Sequence, residues 1–173
     1  MSIKKFVIDV IKIYMKMEKK ENLYKNFFLL LIIFMIDFCS KLYIVYNYNL
    51  YQFQKIVSII NIYYVHNHQI AYTFFTKFPQ YLNYLIIIIN VITITVIFQN
   101  NYLNHQDNIQ YILILGGSIG NTFDRIQYGY IIDFIDIYLY HIHVVILNFA
   151  DIIIIIGLIF LIKNKMIQNS HIM

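Results

Sequence analysis

Four long apolar stretches constrain the fold of this chain more than any other feature of its sequence. They cover residues 27–46, 82–98, 109–126 and 142–162, and they contain few charged residues. Each stretch approaches the roughly 20 residues that an α-helix needs to cross the hydrocarbon core of a bilayer. The sequence therefore predicts an all-α membrane protein with four transmembrane helices.

The composition agrees with lipid as the main solvent of the chain. Of its 173 residues, 60% are hydrophobic and 13% are charged, and the mean hydropathy is +0.63. Soluble domains carry about 25% charged residues. Cys39 is the only cysteine, which excludes an intrachain disulfide and a cysteine-based zinc site.

The lysines predict the orientation of these helices. Seven lysines precede the first apolar stretch, and lysine-rich flanks stay on the cytoplasmic side. Four crossings then return the C-terminus, with Lys163 and Lys165, to the cytoplasm and place residues 47–81 and 127–141 outside. Because the lysines flank a membrane span and no folded basic face follows them, we expect no nucleic-acid partner.

The chain divides into three expected segments. Residues 1–26 form a basic cytoplasmic tail, residues 27–162 form one four-span domain, and residues 163–173 form a second cytoplasmic tail. The first tail does not fit a cleavable signal peptide, because charged residues interrupt its apolar runs. Either it lies on the inner membrane surface or translation starts at Met15 or Met17.

The outer segment at residues 51–75 predicts short β-strands. It is rich in Tyr, Ile, Val and Phe, and its apolar and polar residues alternate imperfectly. We expect a small extracytoplasmic β element between helices one and two, lying against the outer leaflet.

Ionisable residues within or beside membrane spans are costly and are therefore candidates for function. Asp124 lies near the outer end of the third stretch, Asp133 lies just beyond it, and Asp151 lies in the outer half of the fourth. The predicted topology brings these acids together at the outer membrane boundary. The complete set of candidates is Asp37, Lys41, Asp124, Arg125, Asp133, Asp136 and Asp151.

Two adjacent carboxyl groups suit peptide hydrolysis. They cannot both ionise easily, so they share a proton; the charged group activates water as a general base, and the protonated group polarises the carbonyl. The alternative is structural, since each acid could simply pair with Lys41 or Arg125 or cap a helix.

Short motifs decide between these alternatives, because together they resemble the lipoprotein signal peptidases, also called signal peptidase II. The resemblance covers about residues 27–162. The motifs are Asp37-Phe38-Cys39-Ser40-Lys41, Asn67 with Ala71-Tyr72, the segment 116–125, Ile131-Ile132-Asp133-Phe134, and Asn148-Phe149-Ala150-Asp151 with Gly157.

The resemblance implies a four-helix aspartyl peptidase of the bacterial inner membrane, with both termini cytoplasmic and its active site at the extracytoplasmic face. Such an enzyme removes signal peptides from prolipoproteins by cutting before a diacylglyceryl-modified cysteine. Its expected partners are lipid-modified prolipoproteins and membrane lipid. We expect a monomer that uses no cofactor and no metal.

By motif, the catalytic pair is Asp133 and Asp151. Asp124 is expected to support the site and is the reserve candidate, because a carboxylate tied to the neighbouring Arg125 would be a poor proton shuttle. Asp37 and Lys41, four residues apart on a helix, are expected to form a structural or substrate-orienting pair. The residues expected to hold the substrate backbone or the acids are Asn67, Asn121, Arg125 and Asn148.

Four positions depart from the family pattern, one of them Tyr72 in place of a Phe. Gln69 replaces a glycine, which puts the local turn in doubt because glycine reaches backbone conformations that other residues avoid. Leu147 replaces the Phe that precedes the asparagine, and Ile152 replaces the Ser that follows Ala-Asp. Both candidate catalytic acids are present, so the sequence indicates an active enzyme with a drifted outer loop.

Other functions are weighed against this one. Segment 116–120 matches the Gly-x-Ser-x-Gly pattern, so an intramembrane serine peptidase could use Ser118 with His141 or His143, but that pattern needs a strand-turn-helix setting. Gly116 and Gly120 fit a close helix-packing surface better.

His141 with His143, and likewise His66 with His68, could hold zinc, although surface histidines are the simpler account. A proton-coupled transporter or a non-enzymatic membrane subunit is a further alternative.

Overall fold

The computed structural model describes residues 3–68, 85, 88–93, 95, 109–140 and 142–170. Most of these residues lie in three helices and a four-stranded antiparallel sheet. Residues 88–93 are also helical. The elements are α1 (Ile3–Asn47), β1 (Phe53–Lys55), β2 (Ile60–Asn67), α2 (Ile109–Tyr128), β3 (Ile131–Leu139), β4 (Ile142–Leu147) and α3 (Phe149–Ser170).

Helix α1 contains the first predicted span. It is continuous over 45 residues, so the basic tail and the apolar stretch belong to one helix. By length and composition, Tyr24–Asn47 is the one helix among the described residues that is long and apolar enough to cross a membrane. The third stretch coincides with α2, and most of the second lies outside the described residues. The number of crossings stays a prediction.

Helix α2 packs closely against α1 through the glycine surface predicted from the sequence. A Cβ atom added at Gly116 would lie 2.8 Å from Ile33 Cγ2, and one added at Gly120 would lie 2.5 Å from Asp37 Oδ2. Neither helix could keep this separation with a side chain at those positions. The close approach places Asp37 directly against the polar face of α2.

The sheet has the strand order β1-β2-β3-β4, and every neighbouring pair is antiparallel. The expected strands between the first two helices are present as β1 and β2. The chain is not all-α, however, and the β element is not confined to that segment, because β3 and β4 follow α2. β3 lies in the predicted outer loop at residues 127–141.

The predicted start of the fourth span at residue 142 is wrong. Residues 142–147 form β4, and α3 begins at Phe149. A short run of β-branched residues is as hydrophobic as a helical one, so hydropathy cannot separate the two. Pairing with β3 decides in favour of the strand, and Asn148 ends it.

Two clusters of buried apolar side chains hold the elements together. One joins α1 to α2 through Ile33, Ile112 and Leu115. The other seats the sheet on the C-terminal part of α1. Its buried members are Ile44, Tyr64, Ile132 and Phe134. The sheet therefore sits at the end of the apolar helix, where the polar residues of α1, α2 and α3 also meet.

Candidate active site

Asp133 lies on β3 with its carboxyl group held from two sides. Its side chain is 1% exposed. Asn67, at the end of β2, donates from Nδ2 to Asp133 Oδ2 at 2.6 Å. Asn148, just after β4, donates from Nδ2 to Asp133 Oδ1 at 2.6 Å. The antiparallel pairing of β3 with both neighbours brings these amides to the acid.

Asp151 lies in the first turn of α3 and takes part in the cap of that helix. The Asp151 N–H donates to Asn148 Oδ1 at 2.9 Å, and the Asn148 N–H donates to Asp151 Oδ2 at 3.2 Å. This reciprocal pair is a capping box, in which residues N-cap and N3 satisfy each other's free N–H groups. Asn121 on α2 donates from Nδ2 to the other oxygen, Asp151 Oδ1, at 2.8 Å.

Asn148 is the link between the two acids. It is completely buried. Its side-chain amide donates to Asp133, while its backbone N–H donates to Asp151. A third contact joins its Nδ2 to Asn121 Oδ1 at 3.1 Å. One residue therefore fixes the positions of both carboxyl groups relative to each other.

Lys41 organises the other two acids. Its buried Nζ lies 2.6 Å from Asp37 Oδ2 and 2.9 Å from Asp124 Oδ2. It also donates to Asn121 Oδ1 at 3.1 Å. The predicted ion pair between Asp37 and Lys41 is therefore formed. A buried cation with two carboxylates satisfies the requirement that charges removed from water be paired.

Each of these paired acids also holds the backbone next to a candidate catalytic residue. Asp37 Oδ1 accepts the N–H of Ala150 at 2.9 Å, one residue before Asp151. Asp124 Oδ2 accepts the N–H of Ile132 at 3.2 Å, one residue before Asp133. The lysine and its two acids thus form a scaffold under both candidate catalytic groups.

The expected pairing of Asp124 with Arg125 is wrong, because Asp124 pairs with Lys41. Consecutive residues on a helix do not face each other. Arg125 instead donates from Nη1 to the Asn121 carbonyl at 3.3 Å. Among the described residues, no carboxylate lies within 4.0 Å of its guanidinium, although Asp151, Asp133 and Asp124 all act on it electrostatically.

Burial raises the pKa of Asp133 from 3.8 to about 6. The negative charge of Asp151 acts in the same direction, while hydrogen bonds from Asn67 and Asn148 and the charge of Lys41 favour the ionised form. Asp133 is therefore the acid that this environment equips to carry a proton near neutral pH.

An open groove of about 430 Å³ leads to Asp133. One wall comes from the end of β2 and the other from β4. The lining residues are Val65, His66, Asn67, Asp133, His143, Val144, Val145 and Ile146. The lining combines four apolar side chains with Asp133, Asn67 and two histidines, a mixture that suits a ligand with both apolar and polar groups.

The signal peptidase (SPase) II family model matches residues 29–167. The chain belongs to the signal peptidase II family. It is 42% identical over 153 residues to the lipoprotein signal peptidase of Wigglesworthia glossinidia brevipalpis, which covers 87% of this chain and 97% of that protein. It is 30% identical over 133 residues to that of Serratia proteamaculans, covering 75% and 79% of the two chains.

Solved structures have the same fold. Two bacterial membrane enzyme structures superimpose with TM-scores of 0.69 and 0.67 at 22% and 21% identity. The first alignment covers 85% of this chain and 90% of that one, and the second covers 82% and 92%. The motifs that indicate signal peptidase II thus lie on a fold seen in bacterial membrane enzymes.

The structure brings the nine site residues of the signal peptidase II prediction into one region. Eight belong to the hydrogen-bonded network itself, and Arg125 is attached through the Asn121 carbonyl. The eight are Asp37, Lys41, Asn67, Asn121, Asp124, Asp133, Asn148 and Asp151. The drifted motif at Gln69, Ala71 and Tyr72 lies outside the described residues.

The residues of the rival functions lie in other settings. Ser118 donates its hydroxyl hydrogen to Asn90 Oδ1 at 2.6 Å. His66 stacks on Tyr130 with ring centroids 3.8 Å apart, and His141 lies outside the described residues. Within the described part of the chain, no group of three or more His, Cys, Asp or Glu residues is arranged to hold a metal.

Sequence reasoning missed the partners of Asp136. This acid is completely buried on β3, where Asn61 and His143 contact it. The sequence predicted Asp136 as a candidate because it lies beside a predicted span, but no local sequence pattern connects it to Asn61 and His143. The capping box, in contrast, is visible as Asn148-x-x-Asp151.

Proposed function

We propose that this signal peptidase II removes the signal peptide of lipid-modified bacterial prolipoproteins, cutting before the modified cysteine, with Asp133 and Asp151 as its catalytic pair. One observation carries the assignment. The two carboxyl groups share Asn148 as a hydrogen-bond donor, and one of them opens onto a peptide-sized groove.

The proposed reaction needs only the two acids and water. Asp151 takes a proton from water as the water oxygen attacks the scissile carbonyl carbon, and Asp133 gives its proton to the carbonyl oxygen. The tetrahedral intermediate then collapses as the C–N bond breaks: the proton held by Asp151 passes to the leaving amine, and one hydroxyl of the intermediate returns its proton to Asp133, which leaves a carboxylic acid and restores both aspartates. The raised pKa of Asp133 supports its role as the initial acid.

Amide side chains suit this chemistry better than cations would. Asn67, Asn148 and Asn121 can donate to a carboxyl group in either protonation state, because they carry no charge. A lysine in the same place would hold the acid ionised and keep it from carrying a proton. Lys41 is instead bound by Asp37 and Asp124.

The proposed setting is the bacterial inner membrane, crossed four times, with both termini in the cytoplasm and the site at the extracytoplasmic face. The basic tail before Tyr24–Asn47 supports this orientation, and the sheet follows the far end of that helix. Water and a lipid-anchored cysteine can both reach such a boundary. We further propose that the enzyme acts as a monomer, with membrane lipid around it.

The test is cleavage of a purified lipid-modified prolipoprotein by the protein in detergent. Asp133→Asn and Asp151→Asn should each abolish cleavage, while Ser118→Ala should retain it because its hydroxyl bonds Asn90 and lies in no acid pair. Wild-type rates in both aspartate variants would refute the mechanism. Loss of activity in Ser118→Ala alone would favour a serine peptidase.

A further inference from the structure

β3 carries a second buried acid whose environment differs from that of Asp133. Asp136 is completely buried and follows Asp133 by three residues. Side chains three apart in a regular strand point to opposite faces of the sheet. Asp136 therefore lies on the side of β3 away from the Asp133 carboxyl group, and it takes no part in the proposed chemistry.

Asp136 joins the same three strands that Asp133 requires. Asn61, its direct cross-strand partner on β2, lies with Nδ2 3.5 Å from Asp136 Oδ2. His143 on β4 lies with Nδ1 2.9 Å from Asp136 Oδ1, in ion-pair contact but without the alignment of a hydrogen bond. The amides that hold Asp133 come from the end of β2 and from the residue after β4.

The backbone ladder alone does not secure these strand positions. The register of β2 on β3 shifts between Ile62 and Val65, on the path from the Asn61 pair to the Asp133 pair. The register of β4 on β3 shifts between Ile137 and Tyr138, immediately after Asp136. Sheets with such irregularities need side chains to specify the pairing, because a slip of one residue exchanges the two faces.

A buried carboxylate is well suited to specify that pairing. It is stable only where its partners are in reach, so any register that separates it from Asn61 and His143 leaves an uncompensated buried charge. His143 is the one basic side chain within ion-pair distance of Asp136 among the residues that the structure describes. The other titratable groups against His143 are Tyr63 on β2 and Tyr138 on β3.

We propose that Asp136, together with Asn61 and His143, is a positioning residue for Asp133. It sets the registers of β2 and β4 on β3 and thereby the reach of Asn67 and Asn148 to the Asp133 carboxyl group. This inference rests on the proposed function, since it gives Asp136 a role in placing a catalytic acid. Asp136, Asn61 and His143 then form a second buried cluster, and the geometry of Asp133 with Asn67 and Asn148 depends on it.

The variants Asp136→Asn and His143→Ala test the proposal. Each should lower kcat by roughly 10- to 100-fold, because a displacement of about 1 Å at a reacting group can cost about 100-fold. KM for Asp136→Asn should stay near the wild-type value, since Asp136 does not line the groove; His143 does line it, so KM of His143→Ala is not used as a criterion. His143→Asn should restore most of the activity of His143→Ala, because its amide nitrogen replaces Nδ1.

A pH profile separates positioning from a merely structural role. Asn67 and Asn148 favour the ionised form of Asp133, so loosening them should raise its pKa further and move the alkaline limb of kcat/KM to higher pH. Asp151, Lys41 and Arg125 are the charged groups that act on Asp133 among the described residues, and these substitutions leave all three in place. Ile142→Ala, beside His143 but with an exposed side chain, is the matched control and should leave the profile unchanged.

Two results would overturn the proposal. One is an unchanged kcat and pH profile in Asp136→Asn. The other is a lower melting temperature with an unchanged kcat per folded molecule, which would reduce Asp136 to a stabilising residue. Cleavage by Asp133→Asn and Asp151→Asn would instead refute the proposed function itself, whatever the Asp136 variants do.

Discussion

Replacing Asn148 by aspartate separates the two tasks of this residue. As the N-cap of α3 it accepts the N–H of Asp151, and aspartate caps a helix as well as asparagine does. As an amide it donates to Asp133 Oδ1 at 2.6 Å, which a carboxylate cannot do. Asn148→Asp therefore keeps the shape and the helix cap while removing the donor between the two acids.

The expected loss follows from that donor. A hydrogen bond to a charged group contributes about 1.5–3 kcal/mol. Asp133 becomes ionised as it gives up its proton, so this bond becomes a bond to a charged group only on the way to the transition state, and its loss lowers kcat by roughly 10- to 150-fold at about 1.4 kcal/mol per tenfold in rate. The new negative charge also disfavours ionisation of Asp133, so its pKa should rise above about 6 and the alkaline limb should move to higher pH.

Cleavage of a lipid-modified peptide in detergent, measured across pH beside the melting temperature, distinguishes the two tasks. Asn148→Ala is the comparison, since it loses both the cap and the donor. Loss of an N-cap costs about 0.5–2 kcal/mol of stability. Asn148→Asp should melt above Asn148→Ala yet cleave no faster. An Asn148→Asp enzyme with wild-type kcat would refute the bridging role of the amide.

Three further predictions concern the acids and their scaffold. Because the pKa of Asp133 rises from 3.8 in the unfolded chain to about 6 in the folded one, its contribution to stability is present below pH 4 and is lost as the pH rises through 6. At about 1.4 kcal/mol per pH unit the loss is about 3 kcal/mol. Asp133→Asn should lack it and melt above wild type at pH 8. Lys41→Met leaves Asp37 and Asp124 without their cation and should lower the free energy of unfolding by about 3–5 kcal/mol. Lys41→Arg keeps a cation and should lower it by less. Equal melting temperatures for Lys41→Met and wild type would contradict this prediction. Gly120→Ala places a methyl group 2.5 Å from Asp37 Oδ2 and should cost about 1–3 kcal/mol together with much of the activity, which melting and cleavage assays would detect.

The sequence predicted the helices better than the strands that follow α2. The first apolar stretch is a helix, and the strands expected after it are β1 and β2. Hydropathy failed at residues 142–147, where the side chains suit a strand and a buried helix equally. The spacing Asn148-x-x-Asp151 was the available signal, because a capping box places the helix start after Asn148 rather than before it.

Membership of the site was predictable, whereas its pairings were not. Motif order selected acids and amides that the structure places in one hydrogen-bonded region, while their catalytic roles stay a prediction. The partner of Asp124 was missed, since Lys41 lies on another helix and no local spacing joins the two. Arg125 was predicted as the partner of Asp124 because the two residues are adjacent in the sequence. A helix turns about 100° per residue, however, so adjacent side chains point in different directions.

The four acids differ in the hydrogen-bond donors that their carboxylate oxygens contact. Asp37 and Asp124 accept hydrogen bonds from a lysine and from backbone N–H groups. Among described side chains, the hydrogen-bond donors to Asp133 and Asp151 are amides, which tolerate both protonation states. Lys41 can therefore pair with Asp37 and Asp124 without holding Asp133 and Asp151 in the ionised form, provided that the asparagine amides separate it from them. The two pairs of acids are chemically alike in sequence, and under the proposed function the asparagines that contact Asp133 and Asp151 are what separates the catalytic pair from the pair held by Lys41.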